Sequence, residues 1–148
     1  MEIHWACKYF NELTTKELYQ ILQLRNEVFI VEQNCPFQDL DDKDFDCYHL
    51  MGYNDEKELM AYTRLVPAGI SYAEASIGRV VTSAKARKYG IGKILMSESI
   101  AQIENKFGEK TIKIGAQLYL KRFYESFQFV QSSEIYLEDG IEHIEMVR

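Results

Sequence analysis

Apolar and polar residues alternate from His4 to Phe10, with Trp5, Cys7 and Tyr9 on one face, which predicts a strand. Thr14-Thr15-Lys16-Glu17 is a capping box and opens a helix whose apolar stripe is Leu18, Ile21, Leu22, Val28 and Phe29. Asn34-Cys35-Pro36 breaks it, and an acidic loop runs from Asp39 to Asp46. Tyr48 to Tyr53 and Leu59 to Val66 read as two strands joined by the polar turn Asn54-Asp55-Glu56-Lys57. Ala75 to Thr82 reads as another strand. Ile91 to Phe107 then has helical periodicity, with Met96, Ile100, Ile103 and Phe107 on one face and Gly108 as the stop. Thr111 to Gln117 is an apolar strand, and Tyr119 to Phe127 is a short aromatic helix. Glu134 to Leu137 and Ile144 to Val147 flank Asp139-Gly140, a strong hairpin signal.

Strand, loop, helix and strand between residues 75 and 117 form a crossover, so strands 75–82 and 111–117 are expected to be parallel neighbours. Earlier strands are joined by short turns and should be antiparallel. The predicted class is α/β: a mixed, mostly antiparallel sheet with a parallel pair at its centre and helices on both faces.

Length and composition narrow the picture. The chain has 148 residues, enough for one domain spanning 1–148 with a proper core. Its hydrophobic fraction of 47% excludes a disordered chain. No apolar run approaches a membrane span, and Met1-Glu2-Ile3-His4 does not resemble a secretory start. Cys7, Cys35 and Cys47 form no Cys-x-x-Cys and read as free thiols in a reducing, cytoplasmic setting. A net charge of −6 argues against nucleic acid as a partner and favours a cationic substrate.

The chemistry is concentrated in the loop Arg87-Lys88-Tyr89-Gly90-Ile91-Gly92-Lys93, between a strand and a helix. The two glycines are expected to let the backbone approach a ligand and adopt positive φ, and the first helical amides have no intrahelical partner and favour an anion. Arg87, Lys88 and Lys93 add positive charge. The loop is not a Walker A motif, because Gly92-Lys93 is followed by Ile94 and no glycine lies five positions before Gly92. It is not a dinucleotide fingerprint either, because Leu95 stands where a third glycine belongs. Arg-x-x-Gly-x-Gly after a strand ending in Gly78-Arg79-Val80-Val81-Thr82 resembles the acetyl-coenzyme A loop of the GNAT acyltransferases.

The resemblance extends along nearly the whole chain to the ElaA-like branch of that family. It is carried by residues 24–37 (Leu-Arg-Asn-Glu-Val-Phe-Ile-Val-Glu-Gln-Asn-Cys-Pro-Phe), His49-Leu50, Ile77-Gly78-Arg79-Val80-Val81, the Arg87 loop, Gly115-Ala116-Gln117, Phe123-Tyr124-Glu125-Ser126-Phe127 and Glu138-Asp139-Gly140-Ile141-Glu142-His143-Ile144. One departure is Gln128, between Phe127 and Phe129, where the family usually has glycine. If the position requires positive φ, the strain is about 1–2 kcal/mol.

The resemblance implies the GNAT fold and an acetyl-coenzyme A-dependent N-acetyltransferase acting on a small-molecule or peptide amine, without a metal, in a family that often dimerises. The coenzyme would lie where the two parallel strands splay. Backbone groups of Val80, Val81 and Thr82 would pair with its pantetheine arm, and a backbone N–H there would stabilise the oxyanion of a tetrahedral intermediate. Residues Arg87, Lys88, Tyr89, Gly90, Ile91, Gly92 and Lys93 would hold the pyrophosphate. Tyr124 would protonate the departing thiolate; core packing with Leu120 and Phe127 is the plain alternative. The proton acceptor is open. The register at which some relatives carry a glutamate falls on Ser76, leaving Glu74, His49 or water. A non-catalytic acyl-coenzyme A-binding or sensing module on the same fold is the rival reading.

Other clusters carry less. An EF-hand started at Asp42 would need glycine and glutamate where Cys47 and Tyr53 stand, so Asp39–Asp46 reads as a solvated loop or as a rim attracting a cationic acceptor. Histidines and cysteines show no metal spacing, and Cys35 beside Pro36 reads as a structural thiol.

Overall fold

Leu50 and Met51 are adjacent on one strand and both are fully buried, because that strand is covered on both faces. The computed structural model describes residues Met1–Arg148. Strands β1 (His4–Tyr9), β2 (Tyr48–Tyr53), β3 (Leu59–Val66) and β4 (Ser76–Thr82) form an antiparallel sheet in that order. On one face lies α1 (Thr15–Arg25), with Ile21, Leu24 and the following Val28 packed on Met51, Tyr62 and Val81. On the other lies α2 (Ile91–Phe107), with Ile91, Leu95, Met96 and Ile103 in one cluster with Leu50, Ala61 and Leu65. Each fully buried aliphatic side chain contributes roughly 1.5–3 kcal/mol, so both faces are firmly held.

The local signals behave as expected. Thr14 accepts from the Glu17 amide while the Glu17 carboxylate accepts from the Thr14 amide. Gly108 ends α2 at φ +66°. Asp139 and Gly140 both have positive φ, as a tight hairpin turn requires.

A second antiparallel sheet carries the C-terminal half: β5 (Lys113–Gln117), β8 (Ile141–Val147) and β6 (Val130–Gln131), with β7 (Tyr136–Glu138) also on β8. The expected central parallel pair is reduced to one bridge, Ala75 to Ile112, where the Lys113 amide donates to the Ala75 carbonyl at 3.0 Å. Beyond it β4 and β5 diverge. Opposite Thr63, β4 carries two residues, Arg79 and Val80, and Arg79 sits at φ +51°. This bulge bends and twists β4 away from its neighbour. The edge of β4 that faces β5 is therefore left without a strand partner.

Two further segments differ from expectation. The first helix does not run regularly to Phe29 but widens into a π-helical segment over Asn26–Glu32. The Gln33 amide reaches back to Val28 and that of Cys35 to Ile30. The acidic stretch is not a solvated loop. Arg25, with no exposed surface, holds Asp44 at 2.8 Å and Asp39 at 3.0 Å. Arg64 takes both oxygens of Asp41, at 2.7 and 3.0 Å, and Asp44 at 3.1 Å. Arg79 lies 2.7 Å from Asp39 and 3.3 Å from Asp41. Three arginines thus neutralise three aspartates, and only Asp42 and Asp46 stay outside the network as exposed carboxylates.

Gln128 has φ +71°, the conformation that glycine would adopt freely. That left-handed turn lets the Phe129 amide return to the Tyr124 carbonyl and seats the buried Phe129 ring 6.1 Å from Tyr124. Replacing Gln128 by Gly relieves the strain but frees the unfolded chain, so a net gain of about 0.5–1 kcal/mol is expected in urea unfolding.

Burial opposes the charge on Asp41, yet Arg64 and then Arg79 outweigh it and lower its carboxyl to about 2. Asp44 is lowered in the same way, by Arg25 and Arg64 against burial. These contributions are complete above the unfolded carboxylate range near 4 and are lost as pH falls through the folded values. The part of the urea midpoint that these carboxylates supply should therefore hold from pH 7 to about 4 and fall between about 4 and 2. At pH 7, Asp44→Ala should destabilise by about 3–5 kcal/mol, because Arg25 and Arg64 each lose a carboxylate while staying buried. A midpoint unchanged in Asp44→Ala would show that the network adds nothing.

Candidate active site

The divergence of β4 and β5 opens a cavity of about 490 Å³. Its walls are Ile77 to Thr82 of β4, Ile114, Gly115 and Gln117 of β5, and Tyr124 of α3 (Lys121–Glu125). The π-helical turn adds Val28, Phe29 and Glu32, followed by Gln33, Cys35 and Phe37. The C-terminal hairpin adds Glu138, Asp139, Ile141 and His143. Widening the helix at Asn26 directs Phe29 and Glu32 to this wall; π-helical turns recur at functional sites.

At one end the cavity meets Thr82 and Arg87. The Arg87 guanidinium is held by Glu32, with Nη2 to Oε2 at 3.0 Å, and this pairing lowers the Glu32 carboxyl. Arg87 lies in a short 3₁₀ turn (Ala84–Tyr89) that leads to Gly90 at φ +69°, which caps α2. Lys88, Tyr89, Gly90 and Lys93 are exposed around that helix start. Ile91 is buried by its side chain, so only its backbone faces the loop. Gly92 has no positive φ. A Cβ there would lie 3.9 Å from Phe123, in ordinary contact, so the missing side chain serves access and not conformation. Lys88 to Lys93 lie outside the cavity wall, while Val80, Val81, Thr82, Arg87 and Tyr124 belong to it.

Tyr124 is mostly buried, and burial pushes its phenol up to about 12. It keeps its proton at neutral pH and can give it only to a strong base. It lies edge-on to Phe123 and Phe129, at 5.2 and 6.1 Å, so packing and access to the cavity coexist in one ring.

Neither candidate base reaches this cavity. His49 is fully buried beneath the acidic loop, with Nδ1 2.7 Å from the Tyr62 hydroxyl and Nε2 2.9 Å from the Asp44 carbonyl. Burial lowers its pKa. Both ring nitrogens are committed to structure. Glu74 precedes β4 at the end remote from Thr82, outside the cavity wall. Cys35 does line the cavity, with Sγ 3.8 Å from the Asp139 carbonyl. Two residues here were not among the expected site residues. Arg79 combines a left-handed backbone with a clamp on Asp39 and Asp41, and His143 is an imidazole on the cavity wall. His143, three residues past the Asp-Gly turn, alternates with the buried Ile144 and Met146, a pattern visible in the chain.

Comparison with known proteins agrees with this geometry. The acetyltransferase (GNAT) domain profile matches residues 17–148. Protein ElaA of Escherichia coli is 40% identical over 148 residues, covering 99% of this chain and 96% of ElaA. The crystal structure of an acyl-CoA N-acyltransferase from Pseudomonas aeruginosa superposes with a TM-score of 0.94 at 42% identity, covering 99% of each chain. That of Escherichia coli ElaA gives 0.91 at 40% identity, again with 99% of each chain covered. No helix is long and apolar enough to cross a membrane.

Proposed function

The chain belongs to the GNAT acyltransferase family, and we propose that it transfers an acetyl group from acetyl-coenzyme A to a primary amine by direct attack. One observation carries the reading: the unpaired edge of β4, bulged at Arg79–Val80, and the buried phenol of Tyr124 share one elongated cavity. An unpaired strand edge offers backbone donors and acceptors to an extended amide chain such as pantetheine. Val80, Val81 and Thr82 supply those groups, and one N–H on the same edge takes the thioester oxygen as its charge develops.

The start of α2 lies past the Thr82 end, where free amides from Gly90 to Lys93 and the helix dipole favour a pyrophosphate. Lys88 and Lys93 add charge, and a phosphate draws Arg87 from Glu32. Tyr124 donates its proton to the sulfur as the carbon–sulfur bond breaks. A binding or sensing module would share the cleft but would not release thiol. The discriminating measurement is free thiol after incubation with acetyl-coenzyme A and a panel of polyamines, amino acids, aminoglycosides and peptides.

Gly92→Asp fits sterically, so the variant should fold. Its carboxylate stands at the helix start, and calorimetric binding of acetyl-coenzyme A should be lost. Unchanged affinity in a folded variant would refute the assignment of the pyrophosphate site.

Tyr124→Phe keeps the ring and removes the proton. Turnover should fall about 10²-fold or more, with acetyl-coenzyme A affinity little changed. Turnover within a factor of two of wild type would reduce Tyr124 to packing.

A further inference from the structure

Direct attack leaves one role unfilled. A primary amine is an ammonium ion at neutral pH and must lose a proton before its nitrogen can bond to carbon. Around the cavity, Glu32 is tied to Arg87, and Arg79 to Asp39 and Asp41. Glu138 and Asp139 stand at the hairpin without a lysine or arginine partner. His143 lines the same cavity as these and the β4 edge.

We infer that His143 is the general base of the transfer, taking the ammonium proton on Nε2; the inference rests on the acetyl-transfer reading above. The tautomer follows from the hydrogen bonds. His143 Nδ1 lies 2.7 Å from the Ile141 carbonyl, which can only accept, so Nδ1 carries the hydrogen and Nε2 keeps its lone pair. Nε2 lies 3.4 Å from the Glu138 carboxylate, placed to meet the imidazolium once it forms. Tyr136 stacks on the ring with centroids 5.8 Å apart and planes 28° apart, fixing its orientation. Only 7% of the residue is exposed although it borders the cavity, so the ring is held in the wall. Imidazole also exchanges protons near neutrality more readily than any other side chain.

Glu138 and Asp139 also give the acceptor its class. Their charge is not cancelled, unlike that of Asp39, Asp41 and Asp44, so the hairpin end of the cavity attracts a cationic amine. The ammonium N–H bond breaks, its proton goes to Nε2, and the pair stays on nitrogen. That pair forms the nitrogen–carbon bond as the carbonyl π pair moves to oxygen. When the carbonyl re-forms, the carbon–sulfur bond breaks and sulfur takes the Tyr124 proton. A second proton leaving nitrogen restores Tyr124, and His143 releases its own to solvent. One ammonium and one thioester become one amide, one thiol and one proton.

The test compares wild type, His143→Asn and His143→Ala using the panel amine with the highest wild-type turnover. Calorimetric acetyl-coenzyme A binding should be unchanged in both variants, which also shows that they fold. His143→Asn should lose about 10²-fold in kcat/KM. Millimolar imidazole should raise His143→Ala turnover about tenfold, a rescue that lost packing alone would not permit. His143→Asn within threefold of wild type, or no response of His143→Ala to imidazole, overturns the assignment. A wild type that binds acetyl-coenzyme A but acetylates no amine overturns the transfer reading itself, and this inference with it.

Discussion

Two guanidinium groups are buried and a third lies beside them, and one wall of the cavity is arranged around the need to pair them. Arg25 is wholly buried and Arg64 nearly so. An unpaired charge at such a depth is strongly destabilising, so Asp39, Asp41 and Asp44 must come to them. Meeting that demand joins the end of α1, the middle of β3 and the bulge of β4 to one loop. The loop in turn brings Cys35 and Phe37 to the cavity wall, with Phe37 5.8 Å from the Arg79 guanidinium. The left-handed backbone of Arg79, unfavourable for a residue with a Cβ, persists because its side chain is held by two carboxylates and a carbonyl. Charge neutralisation thus shapes the site together with apolar packing.

Features governed by near neighbours were legible in the chain. The Thr14–Glu17 capping box, the Gly108 stop and the Asp139-Gly140 turn each depend on residues a few positions apart, and each stands where expected. Gly90 also takes the positive φ that its loop suggested. Features governed by distant partners were not. A run of aspartates looks solvated until arginines 14 to 40 residues away are folded against it. Two expected parallel strands became one bridge because a two-residue bulge, set by that same network, turns β4 aside.

Histidines show the limit most sharply. His49 and His143 both sit on strands among apolar neighbours, and composition cannot rank them. His49 points toward the arginine network, whereas His143 faces the cavity opposite the buried Ile144 and Met146. Pairing register separates the two, and register is a property of the assembled sheet. Tyr124, singled out through resemblance, does line the cavity, and its raised pKa comes chiefly from burial.

The divided sheet has a consequence for solubility. A strand that leaves one edge unpaired invites another polypeptide to add to it, which is how many β proteins aggregate. Here that edge faces inward. The Ala75–Ile112 bridge closes the wedge at its apex, and the Glu32–Arg87 pair stands beside the Thr82 end of the strand. A neighbouring chain would have to thread the gap lengthwise to form a ladder, while a narrow linear molecule can slide in. The same geometry that keeps backbone groups available for a ligand therefore guards them against intermolecular β-pairing, without the lysines or prolines that exposed edges usually carry.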